Sequence, residues 1–197
     1  MKILNIISDS EDSAKLPGLS LMVDSSLLKD GKPFFIPDYD TLFTARPAMV
    51  VQICRLGKNI APKFAHRYYN AIGVAVCVTA QNLYDSLKAA NESTALATSF
   101  DGSAILSNMK ALDEPHSVAA STHFCISIDG NAIWDFNAEQ SHTDIDNLIG
   151  RISRYYTLKI GDYLLIGIPD ANPVPLRRDM HITGSIDDEN LLSMHVK

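Results

Sequence analysis

The side chains that could do acid–base, nucleophilic or metal chemistry are few and scattered along this chain. The six histidines show no spacing of two ligands on one predicted element, so they indicate no zinc site. Cys77 lies in an apolar run, where a cysteine usually packs as a small hydrophobic residue, and a thiol-dependent enzyme is the weaker alternative. Asp38 and Asp40 are predicted to be solvated, and no Ser-His-Asp order or phosphate-binding glycine loop occurs.

Composition excludes several classes of protein. The chain has 197 residues, is 46% hydrophobic and 20% charged, and carries a net charge of −6, which predicts one globular domain over residues 1–197 and disfavours nucleic-acid binding. Three cysteines without a Cys-x-x-Cys pair indicate neither a disulfide framework nor a zinc ribbon. No stretch has the features of a signal peptide or a membrane span, so we expect a cytoplasmic protein with no membrane partner.

Strands and helices alternate irregularly in the predicted order. Apolar and β-branched runs predict strands at residues 1–7, 20–23, 33–36, 49–56, 73–79, 121–128, 132–136 and 163–168. Helical spacing predicts helices at residues 62–72, 80–90 and 144–156, the last with Thr143 or Ser141, on either side of His142, as its N-cap.

Five segments carry a resemblance to a known family. They read MKILNIISDSEDSAKLPG at 1–18, SSLLKDGKPFFIPDYD at 25–40, TARPAMVVQICRLGKNI at 44–60, VAVCVTAQNLY at 74–84 followed by TSFD at 98–101, and YYTLKIGDYLLIGIP at 155–169. The order of these motifs is similar to that of the fumarylacetoacetate hydrolase (FAH) superfamily, almost from end to end. The resemblance implies the FAH fold: α+β, with layered mixed β-sheets that form a roll or barrel-like body, and a few short helices.

The resemblance also implies a chemistry, and this chain departs from it. Family members hold Mg²⁺ or Mn²⁺ with two Glu and one Asp, and the metal chelates a 2-oxo acid; a His–Glu pair and a Lys complete the site. In this sequence the metal positions are Arg46, Ala48 and Cys77, the His and Glu positions are Ser13 and Leu16, and the Lys position is Thr98.

These replacements predict the loss of the parent chemistry. A hard dication needs oxygen ligands, and an arginine, an alanine and a thiol supply none. We therefore expect no catalytic residues, no metal and no cofactor. The first functional hypothesis is a degenerate family member that acts as a structural or regulatory subunit or binds a small carboxylate. Its binding pocket would contain Arg46, Gln81, Asn82 and Ser99. The alternative is an active hydrolase, isomerase or decarboxylase of 2-oxo acids.

A homodimer is the expected assembly, because the family usually pairs through sheet surfaces. The apolar strand 73–79 and the tyrosines at 68, 69, 155 and 156 could supply the interface. The alternative is that these residues fill the core of one protomer.

Overall fold

The computed structural model describes residues 1–8, 17–29, 31–114, 116–141 and 143–197. Within these residues the strands are β1 (Ile3–Ser8), β2 (Gly18–Met22), β3 (Leu27–Lys29), β4 (Phe43–Ile53), β5 (Tyr69–Ala80), β6 (Ala104–Leu106), β7 (Lys110–Ala111), β8 (His123–Ile128), β9 (Asn131–Asn137), β10 (Tyr163–Gly167), β11 (Val174–Pro175), β12 (His181–Ile186) and β13 (Glu189–His195). The α-helices are α1 (Gln81–Ala89), α2 (Ala95–Thr98) and α3 (Ile145–Ser153), and short 3-10 helices cover Asp24–Ser26, Pro62–Arg67 and Ala138–Ser141.

The larger sheet curls round on itself. Its strand order is β2-β1-β10-β4-β5-β6-β3, with β11 beside β4 and β7 beside β5. The β1–β10 and β3–β6 pairs are parallel, and the other pairs are antiparallel. Strands β2 and β3 stand at opposite ends of this order, yet they are joined by Val23 and one 3-10 turn. A link this short requires the two ends of the sheet to approach each other, so the sheet has an inner and an outer face.

The smaller sheet covers the outer face. It is antiparallel throughout, in the order β13-β12-β8-β9. Buried residues alternate with half-exposed ones along β8 and β12, which is the pattern of a sheet with one face on the core. Gly184 of β12 marks the closest approach, since a Cβ there would lie 2.7 Å from Cγ2 of Val74 in β5.

The two faces of β4 and β5 belong to different apolar cores. Outward-facing residues such as Met49, Val74 and Val76 join the main core, which also contains the buried side of α3 and of the smaller sheet. Inward-facing residues form what we call the inner cluster: Ile3, Met22, Ala48, Val50, Ala75, Ala104, Leu106, Tyr163 and Leu165. Strand β5 therefore reads as a continuous apolar run because both of its faces are covered.

The predicted fold class, α+β with layered mixed sheets and few short helices, is confirmed. The predicted helix at 62–72 is wrong in its second half: a 3-10 helix ends at Arg67, and β5 begins at Tyr69. Ala71 pairs with Gln52 and Tyr69 with Ile53, so ladder hydrogen bonds override the helical spacing. The predicted strand at 33–36 is reduced to one bridge, between Phe34 and Val196, and prolines at both of its sides lack the N–H that a ladder needs.

The first turn of each longer helix donates a backbone hydrogen bond to an aspartate side chain. Asp144 caps α3, because its Oδ1 accepts a hydrogen bond from the backbone N of Asn147 at 3.1 Å. This corrects the prediction of Thr143 or Ser141 as the cap; His142 lies outside the described residues. Helix α1 has no side-chain cap from Ala80 and instead uses the distant Asp40, whose Oδ2 accepts from Leu83 N at 3.0 Å. No helix in the described part of the chain is long and apolar enough to cross a membrane.

Candidate functional site

The pairing of β4 with β5 brings three positions singled out in the sequence onto one surface. Arg46 pairs with Cys77, and Ala48 pairs with Ala75, in an antiparallel register. Alternate residues of a strand point to the same side of a sheet, so Arg46, Ala48 and Cys77 share the inner face. Thr44 pairs with Thr79 one step further along and gives this end of the inner face its polar side chains. We call Thr44, Arg46, Thr79 and Gln81 the polar end.

Beyond the polar end, the inner face is apolar. Ala48 and Ala75 are 1% and 0% exposed and contact the rest of the inner cluster. Cys77 pairs with Ala104 of β6 on its other side. The space at this face is thus occupied by aliphatic side chains, and an exchangeable ligand would have to sit at the polar end rather than deep inside.

Arg46 is the exposed cation of the polar end. Its Nη1 donates a hydrogen bond to the carbonyl oxygen of Ala171 at 3.3 Å, and this is the one hydrogen bond of its guanidinium among the described residues. The contact ties Arg46 to the segment between β10 and β11, which Trp134 also holds through a bond from its Nε1 to the carbonyl oxygen of Asn172 at 3.0 Å. A guanidinium has five N–H donors in a planar fork, so most of its donor capacity can serve a carboxylate.

Gln81 joins Arg46 at the polar end, whereas Asn82 does not. Thr44, two residues from Arg46 on the same face, donates from Oγ1 to Gln81 Oε1 at 3.0 Å, and Gln81 Nε2 donates to Asp85 Oδ1 at 3.0 Å. Asn82 is exposed and donates from Nδ2 to Asp40 Oδ1 at 2.7 Å, on the segment that precedes β4. Its side chain thus helps to fix the start of α1.

Ser99 is engaged at the closure of the curled sheet. Its Oγ accepts a hydrogen bond from the backbone N of Val23 at 3.0 Å and lies 3.1 Å from Oγ of the buried Ser26. Thr98, where the sequence resemblance puts the family lysine, donates from Oγ1 to the carbonyl oxygen of Thr94 at 3.1 Å. Ser13 and Leu16, where the resemblance puts the family's His and Glu, lie outside the described residues.

Cys77 is not poised as a nucleophile. The residue keeps some accessible surface, but its surroundings are dense enough for burial to raise the pKa of its thiol to about 12. A thiol with so high a pKa is protonated at neutral pH, and the thiolate is the reactive form. The raised thiol pKa therefore disfavours a thiol-dependent enzyme built on Cys77.

One feature of the structure had no signal in the sequence. A cavity of about 310 Å³ lies on the outer face of β4 and β5, lined in part by Tyr69 and Asp146. Asp146 stands in the first turn of α3, where acidic residues are common for reasons of helix stability, so its spacing indicates nothing more.

Comparison with known proteins places the chain in a family. The family model described as fumarylacetoacetate (FAA) hydrolase C-terminal matches residues 8–190. The chain belongs to this family. It is 27% identical over 158 residues to the mitochondrial oxaloacetate tautomerase fahd-1 of Caenorhabditis elegans, a match that covers 79% of this chain and 72% of that protein.

Solved structures share the fold at lower identity. A protein of Escherichia coli, provisionally assigned as an isomerase, superposes with a TM-score of 0.86 at 23% identity over 100% of this chain and 91% of that chain. Fumarylpyruvate hydrolase from Pseudomonas aeruginosa, in complex with Mn²⁺ and pyruvate, superposes with a TM-score of 0.84 at 15% identity over 100% of this chain and 89% of that chain. At these identities the likeness shows the fold alone.

The expectation that the protein uses no cofactor is wrong, because a protein of the same fold was solved with Mn²⁺. The side chains of Arg46, Ala48 and Cys77 offer no oxygen ligand on the inner face, and the described ranges contain no group of three His, Cys, Asp or Glu side chains that could hold a metal ion. These described residues do not fit a hard dication.

Proposed function

We propose that this FAH-family protein binds a small organic carboxylate at the polar end and has lost the family's parent catalysis. One observation carries the proposal: the β4–β5 register sets Arg46 against Cys77, with Ala48 beside it on the same face. A positive charge and two side chains without carboxylates thus stand where the resemblance puts three acids. The exposed guanidinium favours an anion, and an arginine fork binds a carboxylate through two parallel hydrogen bonds.

The neighbours of Arg46 support a short ligand. Gln81 and the hydroxyls of Thr44 and Thr79 add polar groups, and the apolar inner cluster begins one residue pair away, at Ala48 and Ala75. A mono- or dicarboxylate of two to four carbons matches this surface, with its charge at Arg46. The sequence also predicted Asn82 and Ser99 as pocket residues, but both side chains form hydrogen bonds elsewhere and are not part of the proposed site.

Calorimetry tests the proposal. Pyruvate and oxalate are titrated into the native protein, each with and without Mn²⁺, and into Arg46→Ala, Arg46→Lys and the matched variant Arg178→Ala, which removes another exposed arginine. We expect binding that Arg46→Ala weakens by about tenfold or more, that Arg46→Lys restores in part, and that Arg178→Ala leaves unchanged. Absence of binding, or equal binding by Arg46→Ala, would refute the proposal.

The second candidate is an active enzyme of 2-oxo acids. Two observations favour it: the sequence relative is named an oxaloacetate tautomerase, and a protein of this fold was solved with Mn²⁺ and pyruvate. The ultraviolet absorbance of enolic oxaloacetate follows tautomerisation directly. Turnover above the uncatalysed rate, stimulated by Mn²⁺ and removed by chelation, would establish this candidate and end the claim of lost catalysis.

We also propose a homodimer and a cytoplasmic location. Strand β5 is buried within one protomer and Tyr69 is only 3% exposed, so these residues fill the core, whereas Tyr155 is 60% exposed and is available to an interface. Exposed apolar side chains at Leu21, Val23 and Leu96 offer a further surface for an interface. Light scattering that gave only the 21.6 kDa mass at all concentrations would contradict the dimer.

A further inference from the structure

The exposed face of the smaller sheet carries a pair of histidines on neighbouring strands. His181 begins β12 and His195 ends β13, and the antiparallel register sets the two residues directly opposite each other. Their rings stack, with centroids 4.5 Å apart and an angle of 19° between the planes. His195 is exposed and His181 is half-buried, whereas the next residue of β12, Ile182, lies in the core. The pair therefore presents two imidazole rings to solvent at one place.

Backbone hydrogen bonds explain why these two side chains lie so close together. The backbone N of His181 donates to Asp129 Oδ1 at 2.8 Å, and its carbonyl oxygen accepts from Asp129 N at 2.9 Å. The carbonyl oxygen of His195 accepts from Phe34 N at 2.9 Å, on the other side of the pair. The two histidines thus form a non-hydrogen-bonded pair of the antiparallel ladder, in which the Cα atoms are about 4.5 Å apart and side chains are closest. Contacts on both outer sides fix this spacing.

One ring already has the additional contact that is typical of a metal-ligating histidine. His181 Nε2 lies 3.0 Å from Oγ of Ser193, which precedes His195 by two residues on the same face of β13. Ligating imidazoles usually donate the N–H of their other nitrogen to an oxygen, and this bond fixes the ring and its tautomer. When His181 Nε2–H donates to Ser193 Oγ, the lone pair of Nδ1 is left for an ion.

We propose that His181 and His195 chelate a transition-metal dication such as Zn²⁺, Ni²⁺ or Cu²⁺, with water in its remaining coordination positions. Imidazole nitrogens suit these ions, whereas Mg²⁺ and Mn²⁺ prefer oxygen ligands. Two nitrogens on one Zn²⁺ lie at most about 4.2 Å apart, since each Zn–N bond is about 2.0–2.1 Å. The ring centroids are 4.5 Å apart and imidazole rotation about χ2 is soft, so small rotations bring one nitrogen of each ring to the same ion.

The histidine pair is separate from the polar end. It lies on the face of the smaller sheet that points away from β4 and β5, so failure of this proposal would leave the carboxylate proposal untouched. Spacing along the sequence carried no signal for it, because the two residues belong to different strands and only the register joins them.

Isothermal titration of the untagged full chain with ZnCl₂ in a non-coordinating buffer tests the proposal. The variants are His181→Ala, His195→Ala and the matched control His123→Ala, which removes another histidine from the half-exposed side of the same sheet. A chelate needs both rings, because the second nitrogen binds an ion that the first already holds. We expect saturable Zn²⁺ binding that either His181→Ala or His195→Ala weakens by roughly tenfold or more and that His123→Ala leaves unchanged.

Nuclear magnetic resonance on the native protein gives a readout that does not depend on any variant folding. The imidazole Hε1 signals of His181 and His195 should shift on titration with Zn²⁺ with one common midpoint, and Mg²⁺ should not shift them. The proposal is overturned if these signals do not move, if they move with different midpoints, or if Mg²⁺ moves them equally. It is also overturned if His181→Ala or His195→Ala binds Zn²⁺ like the native protein, or if His123→Ala weakens binding as much.

Discussion

Asp162 is a buried carboxylate, and its replacement by the isosteric asparagine should lower the free energy of unfolding substantially. The side chain is 0% exposed. Its Oδ1 accepts a hydrogen bond from the backbone N of Lys2 at 2.7 Å, its Oδ2 accepts from the backbone N of Lys159 at 2.8 Å, and Oδ2 also pairs with Nζ of Lys2. These contacts join the start of β1 to the start of β10, beside the Ile3–Tyr163 pair of the parallel ladder.

The magnitude for Asp162→Asn follows from these contacts. An amide has one acceptor oxygen, so it can accept from only one of the two backbone N–H groups, and its NH₂ group faces the other donor. A buried donor without a partner costs about 1–3 kcal/mol. The lost ion pair adds less than about 1 kcal/mol, because the Lys2 side chain is 27% exposed and partly screened by solvent. We expect a loss of about 3 kcal/mol in the free energy of unfolding, or roughly 6–12 °C in melting temperature for a domain of this size.

Urea unfolding followed by circular dichroism measures this loss. Lys2→Met removes the ion pair but keeps the backbone N–H, so it should cost under about 1 kcal/mol, and the exposed control Asp38→Asn should stay within about 0.5 kcal/mol of the native protein. If Asp162→Asn cost less than about 1 kcal/mol, or if Lys2→Met cost as much, the hydrogen-bond reasoning would be refuted.

Three other predictions concern α1, α3 and the contact between the sheets. Asp40→Ala should destabilise the fold by about 1 kcal/mol at pH 7, measured by urea unfolding, because it removes the acceptor for Leu83 N. Burial acts to raise the pKa of Asp40, but its hydrogen bonds lower it overall, so this contribution should vanish as the pH falls through the lowered pKa and the two proteins should converge at acid pH. Asp146→Asn should stabilise the protein at pH 7 but not near pH 3. The pKa of the Asp146 carboxyl is higher in the folded than in the unfolded protein, so this group makes the native protein less stable as the pH rises above the unfolded pKa. Equal stability of the two proteins at pH 7 in urea unfolding would contradict this reasoning. Gly184→Ala should lower the free energy of unfolding by about 1–3 kcal/mol, because the added Cβ would lie 2.7 Å from Val74 Cγ2. An unchanged melting temperature in thermal unfolding would mean that the two sheets separate easily at this point.

Local patterns in the sequence predicted the elements whose structure depends on their own residues. The apolar run at 73–79 lies within β5, and the spacing of Ile145, Leu148, Ile149 and Ile152 gave the buried side of α3. Motif order also predicted the fold class. Residues 69–72 were misassigned because helical spacing and a buried strand look alike in a short apolar segment, and only pairing with β4 decides between them.

The candidate sites depended on tertiary structure to a greater degree. The sequence by itself determined that Arg46, Ala48 and Cys77 carry no carboxylate, and the family resemblance predicted that they stand at the positions of three acids. The strand register then put all three on one face. Only the fold decided that Gln81 bonds to Thr44, on the face of β4 that carries Arg46, while Asn82 and Ser99 are engaged elsewhere, because these contacts join segments far apart in the chain. The cavity at Tyr69 and Asp146 had no local signal at all, since its walls come from several elements and its unpaired oxygen is a property of their packing.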